Sequence, residues 1–175
     1  MMEDRRDEIA IPAWEGDRLV PVDKIEVHRR GLRHPAVSVF VMWQGRTLLQ
    51  QRAAAKYHTP GLWTNSCCTH PLWGEAAEDC AKRRLGEELG LVDLPLRHVG
   101  QVEYRAAVGK ELIEHELVEV YLAKPLREPR PAPDPLEVQD TDWVTLEALR
   151  IDIAARPERY TPWLAIYLAE TGLTL

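Results

Sequence analysis

Residues 36–43, AVSVFVMW, constrain the fold most, because they are β-rich and apolar at every position except Ser38. A short run of this kind, closed by the hairpin-like break Gln44-Gly45-Arg46, reads as a strand buried inside a sheet. Residues 47–52 read as its return strand. The segment AAAKYHTPGLWTNSCCTHPLWG that follows has Pro or Gly every few residues and cannot be one regular element. A loop this long in a compact domain is usually functional. Residues 75–89 have helical character and stop at Gly90, a residue suited to a helix end. Residues 101–105, 112–121 and about 140–144 read as strands, and 146–151 and 162–170 as helices. The earlier stretch WEGDRLVPVDKIEVH reads as short extended or turn pieces. Residues 124–135, with Pro at 125, 129, 131, 133 and 135, read as an exposed, stiff connector. The expected class is α/β: an α/β/α sandwich whose mixed sheet carries helices packed on it.

The chain has 175 residues, enough to bury a core without disulfides or structural metal and short enough for one domain. Its 28 acidic side chains outnumber its 22 basic ones, and no basic block could neutralise a row of phosphates, so no nucleic-acid partner is expected. The start, MMEDRRDEIA, lacks an apolar signal-like region, and no run approaches the length of a membrane span. Three cysteines, two of them adjacent, make a poor disulfide framework and suit a reducing compartment. The expectation is a soluble cytoplasmic protein, with no protein partner implied.

On the helix of residues 75–89, Ala77, Ala81, Leu85 and Leu89 advance by about 40° per step and form an apolar arc roughly 120° wide. Glu88 falls inside the arc, and Glu87 lies about 140° from its centre. An inward carboxylate requires a partner, which is either Arg84 one turn back or a metal ion. Glu78, also near the arc but in the first turn, meets solvent or the helix dipole. In ELIEHELVEVY the period of two places Glu114 and Glu116 on one face, with Cα atoms about 6.8 Å apart, continuing into Val118 and Val120. They mark either a solvent-facing strand end or a cation site, because converging carboxylates repel unless a cation or a proton lies between them. His28, His34 and His70 complete the metal-type ligands, and imidazoles with carboxylates suit Zn²⁺ or Mn²⁺, although any one such histidine is more often just a polar surface residue.

With these pieces in place the chain resembles the type I isopentenyl-diphosphate isomerases of the Nudix superfamily over residues 24–163. The resemblance is carried by PGLWTNSCCTHP (60–71), GEAAEDCAKRRLGEELG (74–90), EYRA (103–106), ELIEHE (111–116) and TPW (161–163). It implies a Nudix-like sandwich forming one domain over 1–175, with a core of about 24–170. By position it implies that Cys68 is the active-site cysteine, that Glu116 is its catalytic partner, and that Tyr104 bonds the glutamate. His28, His34, His70, Glu114 and Glu116 would form the site for one Zn²⁺ or Mn²⁺. Glu88 and the Cys68 carbonyl would hold a Mg²⁺ against the substrate diphosphate, gripped also by Lys24, Arg52 and Lys56. Trp163 would face the carbocation, with Trp63 as a helper, and Cys67 would only pack. The activity implied is interconversion of isopentenyl and dimethylallyl diphosphate, the prenyl diphosphate being the sole partner. Thr69 and Arg84 stand where the general Nudix hydrolase box has Gly and a metal-binding Glu, a departure that favours isomerase over hydrolase.

Two rivals make different demands. A hydrolase of a nucleoside diphosphate derivative needs the helix but not Cys68 or the Glu114/Glu116 pair. A zinc-stabilised binding module would use Cys67, Cys68 and His70 together as structural ligands.

Overall fold

A computed structural model describes residues 9–109, 111–170 and 175; the charged start at 1–8 lies outside the described residues. The chain runs β1 (Ala10–Glu15), β2 (Arg18–Asp23), α1 (Lys24–Arg30), β3 (His34–Trp43), β4 (Arg46–Arg52), β5 (Trp63–Thr64) and β6 (Cys67–Thr69). It continues through α2 (Ala77–Leu89), β7 (Leu96–Ala107), β8 (Ile113–Ala123), β9 (Val138–Thr145), α3 (Leu146–Ala155) and α4 (Pro162–Ala169). Strands β1 and β2 form a separate hairpin, packed through Ile11 and Ala13 on Val27 of α1. The other seven strands form one mixed sheet ordered β5-β4-β3-β8-β7, with β6 added to β3 and β9 to β4. A parallel pairing, β3 with β8, joins strands far apart in the chain.

Strand β3 is apolar on both faces because both are covered. Val37, Val39 and Val41 pack with Ala81, Leu85 and Leu89 of α2. Ala36 and Phe40 pack on the other face with Leu149 of α3 and with Trp163, Leu164 and Tyr167 of α4. This is the α/β/α sandwich that the periodicities imply. Gln44 and Gly45 both take positive φ, 48° and 76°, as a tight β3–β4 hairpin requires. The two strands then separate: β4 pairs β3 only at Met42 and Trp43, and β6 takes the vacated edge at Val37, Ser38 and Val39.

Two segments depart from the sequence reading. Residues 24–30 are a helix, not extended or turn pieces: Asp23 accepts from the Glu26 amide at 3.0 Å, and Gly31 closes the end at φ 61°. Those cap signals outweigh the β-branched Ile25 and Val27. The proline-rich connector is also more than an exposed spacer. Gly90 ends α2 in the left-handed conformation, and the amides of Ala132 and Asp134 donate to the Leu89 and Glu88 carbonyls at 2.7 and 3.0 Å. The connector thus supplies donors that the last turn of α2 lacks. It approaches so closely that a Cβ on Gly90 would lie 3.0 Å from Ala132. Among the described residues, no helix is long and apolar enough to cross a membrane.

Candidate active site

Sheet register assembles the site from distant parts of the chain. Glu116 on β8 is paired with His34 on β3 and with Tyr104 on β7, so three side chains from three strands form one row on the α4-facing side. Four residues further along β3, Ser38 pairs with Cys68 of β6 on that same side. Cys67, the next residue, points through the sheet and is fully buried against α2. Strand alternation therefore separates the vicinal cysteines, and a site using Cys67, Cys68 and His70 as joint ligands does not form.

The short helix α1 brings in His28, whose Nδ1–H donates to the Lys24 carbonyl at 2.6 Å; His34 Nδ1–H donates to the Leu32 carbonyl at 2.8 Å. Both rings therefore turn Nε2 inward, towards Glu114 Oε2 at 3.2 and 3.6 Å. His70 Nε2 lies 2.8 Å from Glu116 Oε1. One ligand atom from each of His28, His34, His70, Glu114 and Glu116 falls within 4.8 Å of all the others. His28 Nε2, His34 Nε2 and Glu114 Oε2 are buried without a hydrogen-bond partner. Lone pairs facing one another in a dry interior repel unless a proton or a cation lies between them. Protons could meet part of the demand: burial alone would lower the His34 pKa, yet Glu114 and Glu116 push it up to about 10. The donor set, three imidazole nitrogens, two of them on backbone-anchored rings, and two carboxylates, fits a transition-metal ion.

Cys68 sits beside this cluster. Its Sγ lies 3.0 Å from Asn65 Oδ1, and Asn65 Nδ2 donates to Ser38 Oγ and the Val39 carbonyl, each at 2.8 Å. That network directs the thiol hydrogen to Asn65. Burial pushes the Cys68 thiol up to about 12, which favours the neutral thiol at ordinary pH. Tyr104 donates to Glu116 Oε2 at 2.8 Å. Trp163 is held by its indole N–H to Thr64 Oγ1 at 2.9 Å, and the Arg52 guanidinium lies 5.5 Å from its ring centre.

Cys68, Glu116, Tyr104, Trp163, Glu88, Lys24, Arg52 and Lys56 all line one cavity with His70 and Glu114, and His28 and His34 reach it through Glu114. Trp63 packs in the neighbouring apolar cluster and is not among the lining residues. Glu88 is 5% exposed, while Glu87, with a side chain 46% exposed, bonds Arg83 and Arg84 on the surface. Glu88 accepts from Arg84 at 2.7 Å and from Gln50 at 2.8 Å, so the salt-bridge partner is present and the carboxylate also faces the cavity. Glu78 is exposed and bonds Lys82 at 2.6 Å. Lys56 pairs with Glu137, and Arg52 donates to the His58 carbonyl at 3.1 Å while its buried Nε has no hydrogen-bond partner.

Five residues have a place in the cavity lining that escaped the sequence reading: Gln50, Tyr57, His58, Thr69 and Arg84. Arg84 carried a signal, its place on the Glu88 face of the helix. The others lie in two strands and a loop with no helical periodicity to expose them. The loop has one strained position: Thr59 is β-branched at φ 46°, a left-handed conformation costing about 1–2 kcal/mol.

Comparison with known proteins gives the family and the fold. The NUDIX domain family matches residues 32–164. The isopentenyl-diphosphate Delta-isomerase of Rhodobacter capsulatus is 61% identical over 160 residues, 91% of each chain. That of Roseobacter denitrificans is 53% identical over 167 residues, 95% of each chain. Among solved structures, DR0079 of Deinococcus radiodurans superposes with a TM-score of 0.72 at 20% identity, over 91% of this chain and 96% of that one. A MutT NUDIX hydrolase from Burkholderia pseudomallei gives 0.63 at 23% identity, over 79% and 98%; both likenesses bear on the fold alone. The chain belongs to the isopentenyl-diphosphate Delta-isomerase family, within the Nudix fold.

Proposed function

We propose that the protein interconverts isopentenyl and dimethylallyl diphosphate, moving a C=C bond by protonation and deprotonation through a tertiary carbocation. The observation that carries this reading is a thiol and a carboxylate, Cys68 and Glu116, lining one cavity with an indole wall at Trp163 and cations at Lys24, Arg52, Lys56 and Arg84. An unactivated alkene needs an acid on one side and a base on the other, held by the protein. Cys68, kept protonated and aimed by Asn65, and Glu116, held by Tyr104, are suited to that pair. The buried indole offers a π face to the cation and excludes water.

The basic side chains bind the diphosphate, and the unpartnered Nε of Arg52 is a donor available to it. Glu88 and the Cys68 carbonyl would hold Mg²⁺, which supplies charge to neutralise the diphosphate. The His28, His34, His70, Glu114 and Glu116 cluster would hold one Zn²⁺ or Mn²⁺. The prenyl diphosphate is the proposed partner, the whole chain the proposed domain, and the cytoplasm, reducing for its three free cysteines, the proposed location. The hydrolase reading is weaker, because α2 carries Arg84, paired with Glu88, where such an enzyme would place a further carboxylate.

Incubation with isopentenyl diphosphate in D₂O tests the proposal. Dimethylallyl diphosphate carrying deuterium is the expected product. Recovery of unlabelled substrate, or release of phosphate, rejects it.

A further inference from the structure

His58 contacts the metal-type cluster without belonging to it. It is 5% exposed, and its Nε2 lies 3.0 Å from Glu114 Oε1, whereas His28, His34 and His70 all approach the other oxygen, Oε2. The Glu114 carboxylate is therefore divided, with one oxygen turned to three rings and the other to His58. A carboxylate oxygen can only accept, so Nε2 carries the hydrogen and Nδ1, 3.0 Å from Thr59 Oγ1, accepts from that hydroxyl. Thr59 is the strained loop residue, and its left-handed backbone supplies this hydroxyl. The ring is further wedged edge-to-face against Tyr57 and Trp163, with centroids 4.3 and 5.9 Å away. These contacts hold the ring against Glu114.

We infer that His58 is a positioning residue: its Nε2–H holds Glu114 Oε1, so that the carboxylate offers only Oε2 to a metal ion among His28, His34 and His70. The inference rests on the reading of that cluster as a metal site. Without His58, Glu114 Oε1 would be a buried, unpaired oxygen, and the carboxylate would turn and lose its aim. His58 also touches Trp163, so the one ring contacts both the charged and the apolar half of the cavity.

The test is Mn²⁺ binding to the metal-free full-length protein, measured by chelator competition, for wild type, His58→Phe, His58→Gln and His34→Ala. Melting curves without metal run alongside. A glutamine places an amide N–H near the position of Nε2, so it is the conservative variant. His58→Phe should weaken Mn²⁺ about 10- to 100-fold, the range for loss of a ligand-orienting partner, and His58→Gln should recover most of that loss. His58→Gln should melt near wild type and His58→Phe about a few degrees lower, because phenylalanine leaves Glu114 Oε1 without a partner. Wild-type affinity in His58→Phe, or equal weakening in both variants, overturns the inference. Wild-type affinity in His34→Ala is a different failure: it removes the metal-site reading, and the positioning role with it.

Discussion

Cys67 and Cys68 are neighbours on one strand, yet they live in two different solvents. On the α2 side of the sheet, Cys67 is packed among Val37, Val39, Cys80, Ala81 and Leu85, where nothing but shape is required of it. On the α4 side, Cys68 meets Asn65 and Ser38 in a row that continues to Glu116 and the histidines. The first face resembles an ordinary domain interior. The second holds buried carboxylates and imidazoles that are costly without partners. The difference shows that one sheet can carry stability on one face and chemistry on the other, separated only by the alternation of the strand.

The largest expected effect breaks the symmetry of the two thiols. Cys68→Ala should lower kcat by about 10²- to 10⁴-fold, the range of a lost general acid or base, with little change in melting temperature. Cys67→Ala should keep kcat within a few-fold and cost about 1 kcal/mol of stability from the cavity it leaves. Steady-state rates and thermal melts on the two variants decide it, and equal loss of activity in both would erase the distinction between the faces.

A second contrast concerns α2, the helix that spans both roles. Glu88→Gln should raise KM and weaken the dependence on Mg²⁺, because an amide oxygen is a poorer ligand for a hard cation. It should also destabilise by about 2 kcal/mol, since Arg84 loses a buried partner while keeping Glu137 at 3.3 Å. Glu87→Gln, on the exposed face, should stay within about 0.5 kcal/mol and leave the kinetics unchanged. If Glu88→Gln lowers stability but leaves the Mg²⁺ response intact, Glu88 is a salt-bridge residue only.

An effect on stability alone belongs to the segment that leads into α2. Glu75 accepts from the Leu72 amide at 2.8 Å and from Arg83 at 2.7 Å, and the hydrogen bond from Arg83 holds its carboxyl below the usual range. A carboxyl depressed on folding stabilises above its unfolded pKa, and that contribution is lost as pH falls through the folded value. Glu75→Gln should therefore cost about 1 kcal/mol at neutral pH. In denaturant titrations, the gap between the two proteins should close as pH drops below the carboxylate range.

Much of this division was legible in the chain. The helical wheel separated Glu88 from Glu87, and the period of two put Glu114 and Glu116 on one face; both are local regularities. What escaped depends on distant pairing. The row His34–Glu116–Tyr104 needs the registers of three strands, one of them parallel, and no single segment encodes them. His58 lies in a loop rich in Pro and Gly, where burial follows no period. The capping of α2 by Ala132 and Asp134 uses backbone amides, which every residue except proline possesses, so composition could not reveal it.

The most direct measurement is anomalous diffraction at the Zn and Mn absorption edges from crystals of protein supplied with each ion. The account predicts one strong peak bonded by His28, His34, His70, Glu114 and Glu116, on the α4 side of the sheet, with Cys67 outside its coordination. A peak lacking His70 and both glutamates, or no peak at this cluster with either ion, would contradict it.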